Sequence, residues 1–362
     1  MVRGYEVSAE NIEDVERLLI KLRRIIDFTL ETYFYNMIIK AKKKKKLVVR
    51  KPYTSRPGIF KLKSLITPDR VRIRIGEIIT QASIATNPTI AGSSKKAVLY
   101  IRVATLPSTI SETFIARAVL DINEEFYELV VEPYINRVLP GESIEDPRVD
   151  PLDPNLLYHV RSYHYWDKDF VFTFKAYVDR REGLKIEPVL FMHRGEPKAY
   201  NDLRDTFPLN DRFMILRPYI KRRNIGAIFI GPRKENFVEL KDTNVIPELI
   251  PLKWEVKTGG GFVAKLSRGE NLLFYYSEDP YGVHRLYVAV LSDTGEFLGG
   301  TIEPVLTPNP LVYSGRRAST ILPCGALVER RKIIMATGIG TEALAFYEAY
   351  IDDLMNLITY KR

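Results

Sequence analysis

The chain of 362 residues has an apolar fraction of 46%, so it is long enough for one large or two ordinary domains and supports a sizeable core. Its single cysteine, Cys324, excludes an intrachain disulfide and a thiolate metal site, and its four histidines lack close metal-ligand spacing, so no metal site is predicted. The net charge of +9 is concentrated in residues 1–75, which hold 19 Lys or Arg and 8 Asp or Glu, whereas the remaining residues hold 35 and 37.

The N-terminal part of the chain predicts one long amphipathic helix over residues 9–41, with Ser8 as its N-cap. Apolar residues recur there at three-four spacing and form a single stripe. That stripe must be buried on the main body or on a second copy of the chain, so a homo-oligomer formed through this helix is an expected partner arrangement. Five lysines follow at residues 42–46. Because no base-stacking aromatics are interleaved with them, a solvated helix end is favoured over a nucleic-acid site.

From about residue 70 the sequence changes to short β-rich runs separated by Pro, Gly, Asn and Asp. Because no convincing helix lies between them, an all-β fold is favoured over a parallel β-α-β sheet. At about 40–50 residues per blade, a β-propeller of about five or six blades fits this length. The predicted domains are therefore residues 1–69, a helix and basic linker, and residues 70–362, a propeller closed by a strand and short helix at 342–358. The strongest runs are residues 97–103, 114–120, 155–163, 170–178, 213–216, 225–230, 271–277, 285–292 and 332–337.

The sequence also predicts where the protein is found. No apolar run reaches membrane-spanning length, and the N-terminus lacks a signal-peptide pattern, so we expect a cytoplasmic protein. The single glutamine, Gln81, beside abundant Lys, Glu and Arg resembles the composition of hyperthermophile proteins.

Residues 141–149 hold the motif that carries the most chemistry, with Glu145 and Asp146 followed by Pro147 and Arg148. The motif lies between segments that we interpret as short strands, and the proline predicts an extended backbone at Asp146. A carboxylate held near an arginine has a fixed direction and an adjustable pKa, as a general acid requires. The nonapeptide alone favours the alternative, an Asp-Pro turn with solvated charges, and the rest of the chain changes that balance.

Several further short motifs lie in a fixed order along the chain. They are Asn87-Pro88, Leu99-Tyr100-Ile101-Arg102-Val103, Glu145-Asp146-Pro147-Arg148, Phe207-Pro208, Leu216-Arg217-Pro218, Gly259-Gly260-Gly261, Leu272-Leu273-Phe274-Tyr275-Tyr276, Tyr287-Val288-Ala289-Val290-Leu291-Ser292-Asp293 and Leu322-Pro323-Cys324-Gly325. In this order they resemble glycoside hydrolase family 130, the β-mannoside phosphorylases and their hydrolase relatives. The resemblance covers residues 87–325 and leaves the first 70 residues outside it.

The resemblance implies a five-bladed propeller that cleaves β-mannosides with inversion. Asp146 would be the proton donor, acting through a sugar hydroxyl, while inorganic phosphate or water attacks from the opposite face. A phosphate nucleophile needs no second carboxylate as base. The implied partner is an oligosaccharide, with phosphate as co-substrate and no cofactor. The implied substrate-binding residues are Asn87, Glu145, Arg148 and Tyr276; for phosphate, which needs planar charged donors, the candidates are Arg102 and Arg217.

The chain also departs from the family pattern. Tyr276 and Leu216 stand at two positions where the family has histidine, Thr341 stands where an aspartate is usual, and residues 314–317 lie near a missing glutamate. Three outcomes stay open: a phosphorylase with an altered substrate, a hydrolase, or a non-catalytic propeller that binds carbohydrate or protein. In an enzyme, Asp146, Arg102 and Arg217 are expected to converge at one mouth of the central channel; in a binding module they are expected to scatter.

Overall fold

The computed structural model describes residues 5–43, 49–105, 112–124, 128–165, 168–266, 269–308 and 315–361. Most of these residues lie in antiparallel β-sheets, and the α-helices among them are α1 (Ile12–Arg24), α2 (Thr29–Lys43) and α3 (Ile351–Met355). The predicted all-β class is therefore confirmed. Within the described ranges, no helix combines the length and apolarity needed to cross a membrane. Residues 44–46 of the predicted lysine run lie outside the described residues.

The strands of the first half, in chain order, are β1 (Val7–Ser8), β2 (Lys61–Ile66), β3 (Val71–Ile75), β4 (Ile78–Gln81), β5 (Ile84–Ser93), β6 (Lys96–Ala104), β7 (Phe114–Leu120), β8 (Leu129–Ile135), β9 (Glu142–Val149), β10 (Leu157–Tyr165), β11 (Lys168–Asp179), β12 (Gly183–Pro188), β13 (Leu190–His193) and β14 (Glu196–Lys198). Those of the second half are β15 (Leu203–Pro208), β16 (Phe213–Ile220), β17 (Ile225–Gly226), β18 (Phe229–Lys234), β19 (Phe237–Glu239), β20 (Asn244–Val245), β21 (Lys257–Lys265), β22 (Glu270–Glu278), β23 (His284–Ser292), β24 (Phe297–Thr301), β25 (Ile321–Glu329), β26 (Lys332–Ile339), β27 (Ala343–Tyr350) and β28 (Ile358–Tyr360). Each β-rich run predicted from the sequence overlaps one of these strands.

We number the sheets by the chain order of the strands β5, β9, β15, β21 and β25, which we call the first strands. Sheet 1 has the order β4-β3-β8-β7-β6-β5, sheet 2 the order β1-β12-β11-β10-β9, and sheet 5 the order β2-β27-β26-β25. The other strands form one 13-stranded sheet. Its two halves are sheet 3 (β13–β16 and β18–β20) and sheet 4 (β21–β24 and β28), which are joined through the two-residue strand β17.

The hydrophobic core is divided among clusters that lie between neighbouring sheets. Sheets 1 and 5 share a cluster that includes Ile101 and Phe346, and sheets 1 and 2 share a cluster that includes Ile115 and Phe174. The cluster between sheets 2 and 3 includes Tyr158 and Phe229, and the cluster between sheets 3 and 4 includes Phe207 and Leu273. The cluster between sheets 4 and 5 includes Phe274 and Met335. The first strands contact one another in the order β5, β9, β15, β21 and β25, and β25 also contacts β5. Burial of apolar area between sheets is the main stabilising contribution in such an arrangement.

The single helix predicted over residues 9–41 is wrong, because the chain forms two helices with a break between them. Asn11, not Ser8, caps α1 by accepting from the backbone N–H of Asp14 (3.2 Å), and Ser8 lies in strand β1. At the break, the backbone N–H of Asp27 donates to Ala199 (3.1 Å), and the Asp27 carboxylate accepts from the backbone N–H of Thr29 (2.9 Å). A tertiary backbone contact and a new cap therefore end the continuous helix that the apolar periodicity suggested.

The apolar stripe of the two helices is buried against sheets of its own chain. Leu18, Leu19 and Leu22 of α1 pack in the cluster between sheets 1 and 2, and Phe34 of α2 lies against the rings of Phe191, Tyr200 and Phe229. A second copy of the chain is therefore not needed to cover the stripe, and association through this region stays a prediction. The domain boundary after residue 69 also stays a prediction, although β2 lies before it and pairs with β27 after it.

Leu22→Ala is expected to lower the free energy of unfolding by about 2–5 kcal/mol, because Leu22 is fully buried and its loss leaves a cavity under α1. The matched control is Ile12→Ala on the same helix, whose side chain is 56% exposed and whose loss should change stability little. Both values come from urea unfolding followed by circular dichroism. Equal effects of the two substitutions would contradict the packing of α1 described above.

Candidate active site

The Asp146 motif lies inside a β-strand, not in a turn between strands. Residues Glu142–Val149 form β9, the first strand of sheet 2. The predicted extended backbone at Asp146 is also wrong, since its φ is 51°. The reason is a β-bulge: Glu145 pairs with Val160 and Arg148 with Tyr158, so Asp146 and Pro147 together lie opposite one residue. The bulge turns the backbone into the left-handed region that Asp tolerates better than most residues.

The other first strands carry an irregularity at the corresponding place. Their ladders shift register between Thr86 and Thr89, between Arg204 and Phe207, between Gly260 and Phe262, and between Pro323 and Gly325. Two of these bulges again hold a polar residue with positive φ, Asn87 at 49° and Asp205 at 43°. Bulges redirect side chains and are common beside active sites, so five of them at one level mark this end of the sheets as the candidate site.

Asn87 holds Asp146 from the neighbouring first strand. Its amide Nδ2 donates to Asp146 Oδ1 at 2.6 Å, and its own Oδ1 accepts from the Thr86 hydroxyl at 3.1 Å. Gly338 of β26 is required here, because a Cβ at that position would lie 1.9 Å from Asn87 Oδ1. The contact fixes the direction of the Asp146 carboxyl and leaves Oδ2 without a described hydrogen-bond partner.

Glu145, the other carboxylate of the motif, is held between two arginines. Its oxygens lie 3.3 Å from Arg102 and 3.2 Å from Arg204, and the Ser162 hydroxyl donates to it at 3.0 Å. Burial alone raises the pKa of Glu145, but Arg102 and Arg204 outweigh burial and hold the pKa below its ordinary value. Glu145 is therefore ionised at neutral pH. Arg102 also lies near Asp146, but at 3.8 Å this contact is longer than its contact with Glu145.

Asp205 of β15 binds three partners in the interior. Its carboxylate accepts from Arg217 Nε at 2.5 Å, from Arg148 at 3.0 Å and from the Tyr276 hydroxyl at 2.8 Å. Burial raises the pKa of Asp205, and the two arginines outweigh it, so the pKa lies below the ordinary value. Arg148 also donates to the backbone carbonyl of Asp146 at 3.3 Å, so this buried network supports the bulge from behind.

A cavity of about 290 Å³ lies above these groups. Its lining carries five cationic side chains against three carboxylates, together with polar and aromatic groups. The residues are Asn87, Arg102, Glu145, Asp146, Asp202, Arg204, Arg217, Tyr219, Lys257, Tyr276, His284, Arg317, Thr320, Leu322 and Thr341. The surplus of positive charge suits an anion, and the hydroxyl and amide groups suit a sugar.

One wall of this cavity is organised by Glu278, the last residue of β22. Its Oε2 accepts from Lys257 Nζ at 2.8 Å, from His284 Nε2 at 2.6 Å and from Arg317 at 3.1 Å. Burial raises the pKa of Glu278, but His284 and Lys257 outweigh it and hold the pKa far below its ordinary value. The ring of His284 stacks on Tyr276 with centroids 4.6 Å apart, which connects this wall to Asp205.

The structure brings six of the seven predicted site residues to this cavity: Asn87, Arg102, Glu145, Asp146, Arg217 and Tyr276. Arg148 is the exception, since it lies in the network below and lines a different cavity beside Cys324. Asp146, Arg102 and Arg217 therefore line one cavity. Among the described residues, no group of three or more His, Cys, Asp or Glu side chains is arranged to hold a metal ion.

Sequence reasoning missed several cavity residues, notably Arg204, Lys257 and His284. Arg204 could have been found, because it precedes the bulge that holds Asp205 as Glu145 precedes the bulge that holds Asp146. Lys257 begins the strand that holds the glycine run, but it has no local signal of its own. His284 has no local signal, since it begins a strand after an ordinary turn.

Comparison with known proteins identifies the family of the chain. The family model described as β-1,4-mannooligosaccharide phosphorylase matches residues 52–360. The match places the chain among the carbohydrate-active enzymes. More particularly, the chain belongs to glycoside hydrolase family 130. No curated protein matches it.

Solved structures show the same fold at low sequence identity. A β-1,2-mannobiose phosphorylase from Listeria innocua aligns with a TM-score of 0.62 at 15% identity, over 81% of this chain and 96% of that one. A structure from Bacteroides ovatus that is described as a candidate glycoside hydrolase aligns with a TM-score of 0.55 at 15% identity, over 85% of this chain and 99% of that one. A third structure, described among family members that hydrolyse β-1,2-mannosidic linkages in Candida mannan, aligns with a TM-score of 0.50 at 11% identity, over 82% and 96%.

Proposed function

We propose that this protein is an inverting β-mannoside phosphorylase in which Asp146 is the proton donor and inorganic phosphate is the nucleophile. The observation that carries the proposal is a single cavity that combines a fixed carboxyl at Asp146 with five cationic side chains. A hydrolase needs a second carboxylate to activate water, but the other two carboxylates of this cavity, Glu145 and Asp202, are both ion-paired with arginine. A phosphorylase needs cations for phosphate, which is already a nucleophile at neutral pH.

The two neighbouring carboxyls have different roles in this proposal. Glu145 stays ionised between Arg102 and Arg204 and binds sugar hydroxyls as an acceptor. Asp146 accepts from Asn87 through Oδ1, so Oδ2 is the oxygen that carries the proton to the leaving group, directly or through a sugar hydroxyl. Arg148 acts as a positioning residue, since it contacts the Asp146 carbonyl and Asp205 without lining the cavity.

The phosphate site in this proposal is the basic wall of the cavity. Arg217 uses Nε for Asp205, and no hydrogen bond from its two terminal nitrogens is described, so these remain for an anion. Lys257 lies beside it, with Arg217 and Lys257 both over the ring of Tyr219, at 5.9 and 5.8 Å. Arg102, the other candidate, contacts Glu145, and Lys257 donates to Glu278. Arg217, whose terminal nitrogens remain for an anion, is therefore the strongest candidate.

The five sheets would be arranged as the blades of a propeller around this site. The cyclic contacts of β5, β9, β15, β21 and β25 and the core clusters between successive sheets support that arrangement. Sheet 3 and sheet 4 would be separate blades that β17 connects. The site would then lie at one mouth of the central channel, which is where propellers commonly bind ligands.

Incubation with β-1,4-mannobiose in the presence and absence of phosphate tests the proposed reaction. We expect mannose 1-phosphate when phosphate is present and no sugar release without it, because water lacks the charge that the basic wall binds. Chromatography of the products separates the outcomes. Mannose formed without phosphate would indicate a hydrolase. Mannobiose that binds in calorimetry but remains uncleaved under both conditions would indicate the non-catalytic alternative.

A further inference from the structure

Three strands of sheet 4 place Lys257, Glu278 and His284 side by side in one row. Lys257 pairs with Glu278 across β21 and β22, and Glu278 pairs with His284 across β22 and β23. The row ends at sheet 5, since His284 Nδ1 lies 3.0 Å from the backbone carbonyl oxygen of Ile321. His284 is 4% exposed and lines the cavity, so its charge acts directly on whatever binds there.

The two contacts of the His284 ring decide how many protons it carries. The Ile321 carbonyl oxygen can only accept, so Nδ1 must carry a hydrogen to make that contact favourable. Glu278 Oε2 lies 2.6 Å from Nε2 and already accepts from Lys257 and Arg317, which keep it ionised. Both ring nitrogens therefore face acceptors, and a neutral imidazole, which has one N–H, leaves two acceptors in contact whichever tautomer it adopts.

The remaining groups around His284 oppose a second proton. Lys257 from β21 and Arg317 from the segment before β25 are cationic, Arg217 from β16 lines the same cavity, and Tyr276 from β22 covers one face of the ring. Burial is the largest influence and leaves the pKa of His284 below its ordinary value, although Glu278 acts in the opposite direction. The charge on His284 is thus set by a balance that pH can shift.

We propose that His284 is a proton-dependent anion switch: its imidazolium form, held between Glu278 and Ile321, completes the anion site, and loss of its proton weakens anion binding. In the charged form Lys257, His284 and Arg317 all donate to the Glu278 carboxylate, and Lys257 and Arg317 stay directed at the cavity. In the neutral form one of the two ring contacts, with Glu278 or with the Ile321 carbonyl oxygen, becomes repulsive, and the cavity loses one positive charge. Glu278 is a positioning residue in this scheme, since it acts through the cations it holds. The inference deepens the phosphate site proposed above and rests on it for the location of the anion.

Sulfate is the probe for the experiment, because it keeps its double charge between pH 5 and 8 whereas phosphate changes its own. Calorimetric titration of the full chain with sulfate is expected to show affinity that falls by about tenfold as pH rises across this range. His284→Gln should bind sulfate weakly at pH 5 and show less than about twofold change with pH. His164→Gln, at an exposed histidine paired with Asp169, is the matched control and should behave as wild type.

Nitrogen NMR of the histidine rings gives a readout that requires no variant and no turnover. At pH 5 both nitrogens of one ring, assigned to His284 by its absence in His284→Gln, are expected to carry protons. Sulfate affinity that is flat with pH in wild type, or equally pH-dependent in His284→Gln, would overturn the switch. So would a singly protonated ring at the lowest pH. Phosphorolysis with a flat sulfate profile would overturn the switch alone, whereas a pH-dependent sulfate site without any phosphorolysis would overturn the proposed reaction alone.

Discussion

Asp146→Asn is expected to lower the rate of mannoside phosphorolysis by about 10²–10⁴-fold while leaving the fold intact. The amide cannot supply the carboxyl proton to the leaving group. Asparagine tolerates the left-handed backbone at this bulge, where φ is 51°, and its side-chain oxygen can still accept from Asn87. The loss should therefore appear in kcat and not in stability.

The measurement is the initial rate of mannose 1-phosphate formation, together with the melting temperature. Asp69→Asn, at an exposed position in the turn before β3, is the control and should change neither quantity. Equal rates for wild type and Asp146→Asn on every mannoside tested would exclude Asp146 as the proton donor.

Asp205→Asn is expected to lower the free energy of unfolding by about 3–5 kcal/mol at pH 7. The variant leaves Arg148 and Arg217 buried, at 2% and 5% exposure, without the carboxylate that both contact. Backbone strain does not contribute, because asparagine also accepts the φ of 43°. Urea unfolding measures the change, and Asp211→Asn on the exposed turn before β16 is the matched control.

The same pair of proteins gives a pH test with a defined sign. The pKa of Asp205 lies below the ordinary value of 3.8, so its contribution is complete above about pH 4 and is lost as pH falls through the lowered pKa. The stability difference between wild type and Asp205→Asn is therefore expected to be constant from pH 8 to 5 and to shrink in stronger acid. A difference that instead shrinks between pH 8 and 5 would contradict a carboxylate held ionised by two arginines.

The all-β class could be predicted from the sequence because many strands other than the first strands have a regular β-rich pattern. Runs such as residues 97–103 and 285–292 are rich in β-branched and aromatic residues and lie in β6 and β23. The first strands β5, β9, β15, β21 and β25 were not among the strongest predicted runs. Each carries a bulge with Pro, Gly, Asn or Asp, and these residue types normally indicate loops. The same Pro, Gly, Asn and Asp residues that make these strands resemble loops in the sequence also form the bulges at the candidate site.

The candidate site could be predicted only in part, for a related reason. Asp146 and Glu145 lie in a motif that local chemistry makes visible, whereas Asn87 was implied only by the family resemblance. Arg148 has the same local visibility, yet its guanidinium lies behind the bulge, because the direction of a side chain near a bulge depends on tertiary contacts. His284 is brought to the cavity by strand register alone, which one sequence does not reveal.

The N-terminal helices show the limit of periodicity as evidence. The three-four spacing of apolar residues continues through residues 25–28, so it predicts an unbroken helix. The chain nevertheless turns there, because Ile25 and Asp27 exchange backbone hydrogen bonds with Ala199. A contact between segments so far apart in sequence outweighs the local preference, and Asp27 ahead of Thr29 was the one local sign of a second cap.

The pairing of β2 with β27 has a consequence for biosynthesis. Lys61 lies opposite Glu348, so an early edge of the molecule stays unpaired until the ribosome has released almost all of the remaining chain. The pairing of β2 with β27 joins segments far apart in sequence, and contacts of this kind form late and slow the folding of a chain. A chain that ends before β27 would therefore keep the edge of β2 exposed, and an exposed strand edge favours aggregation.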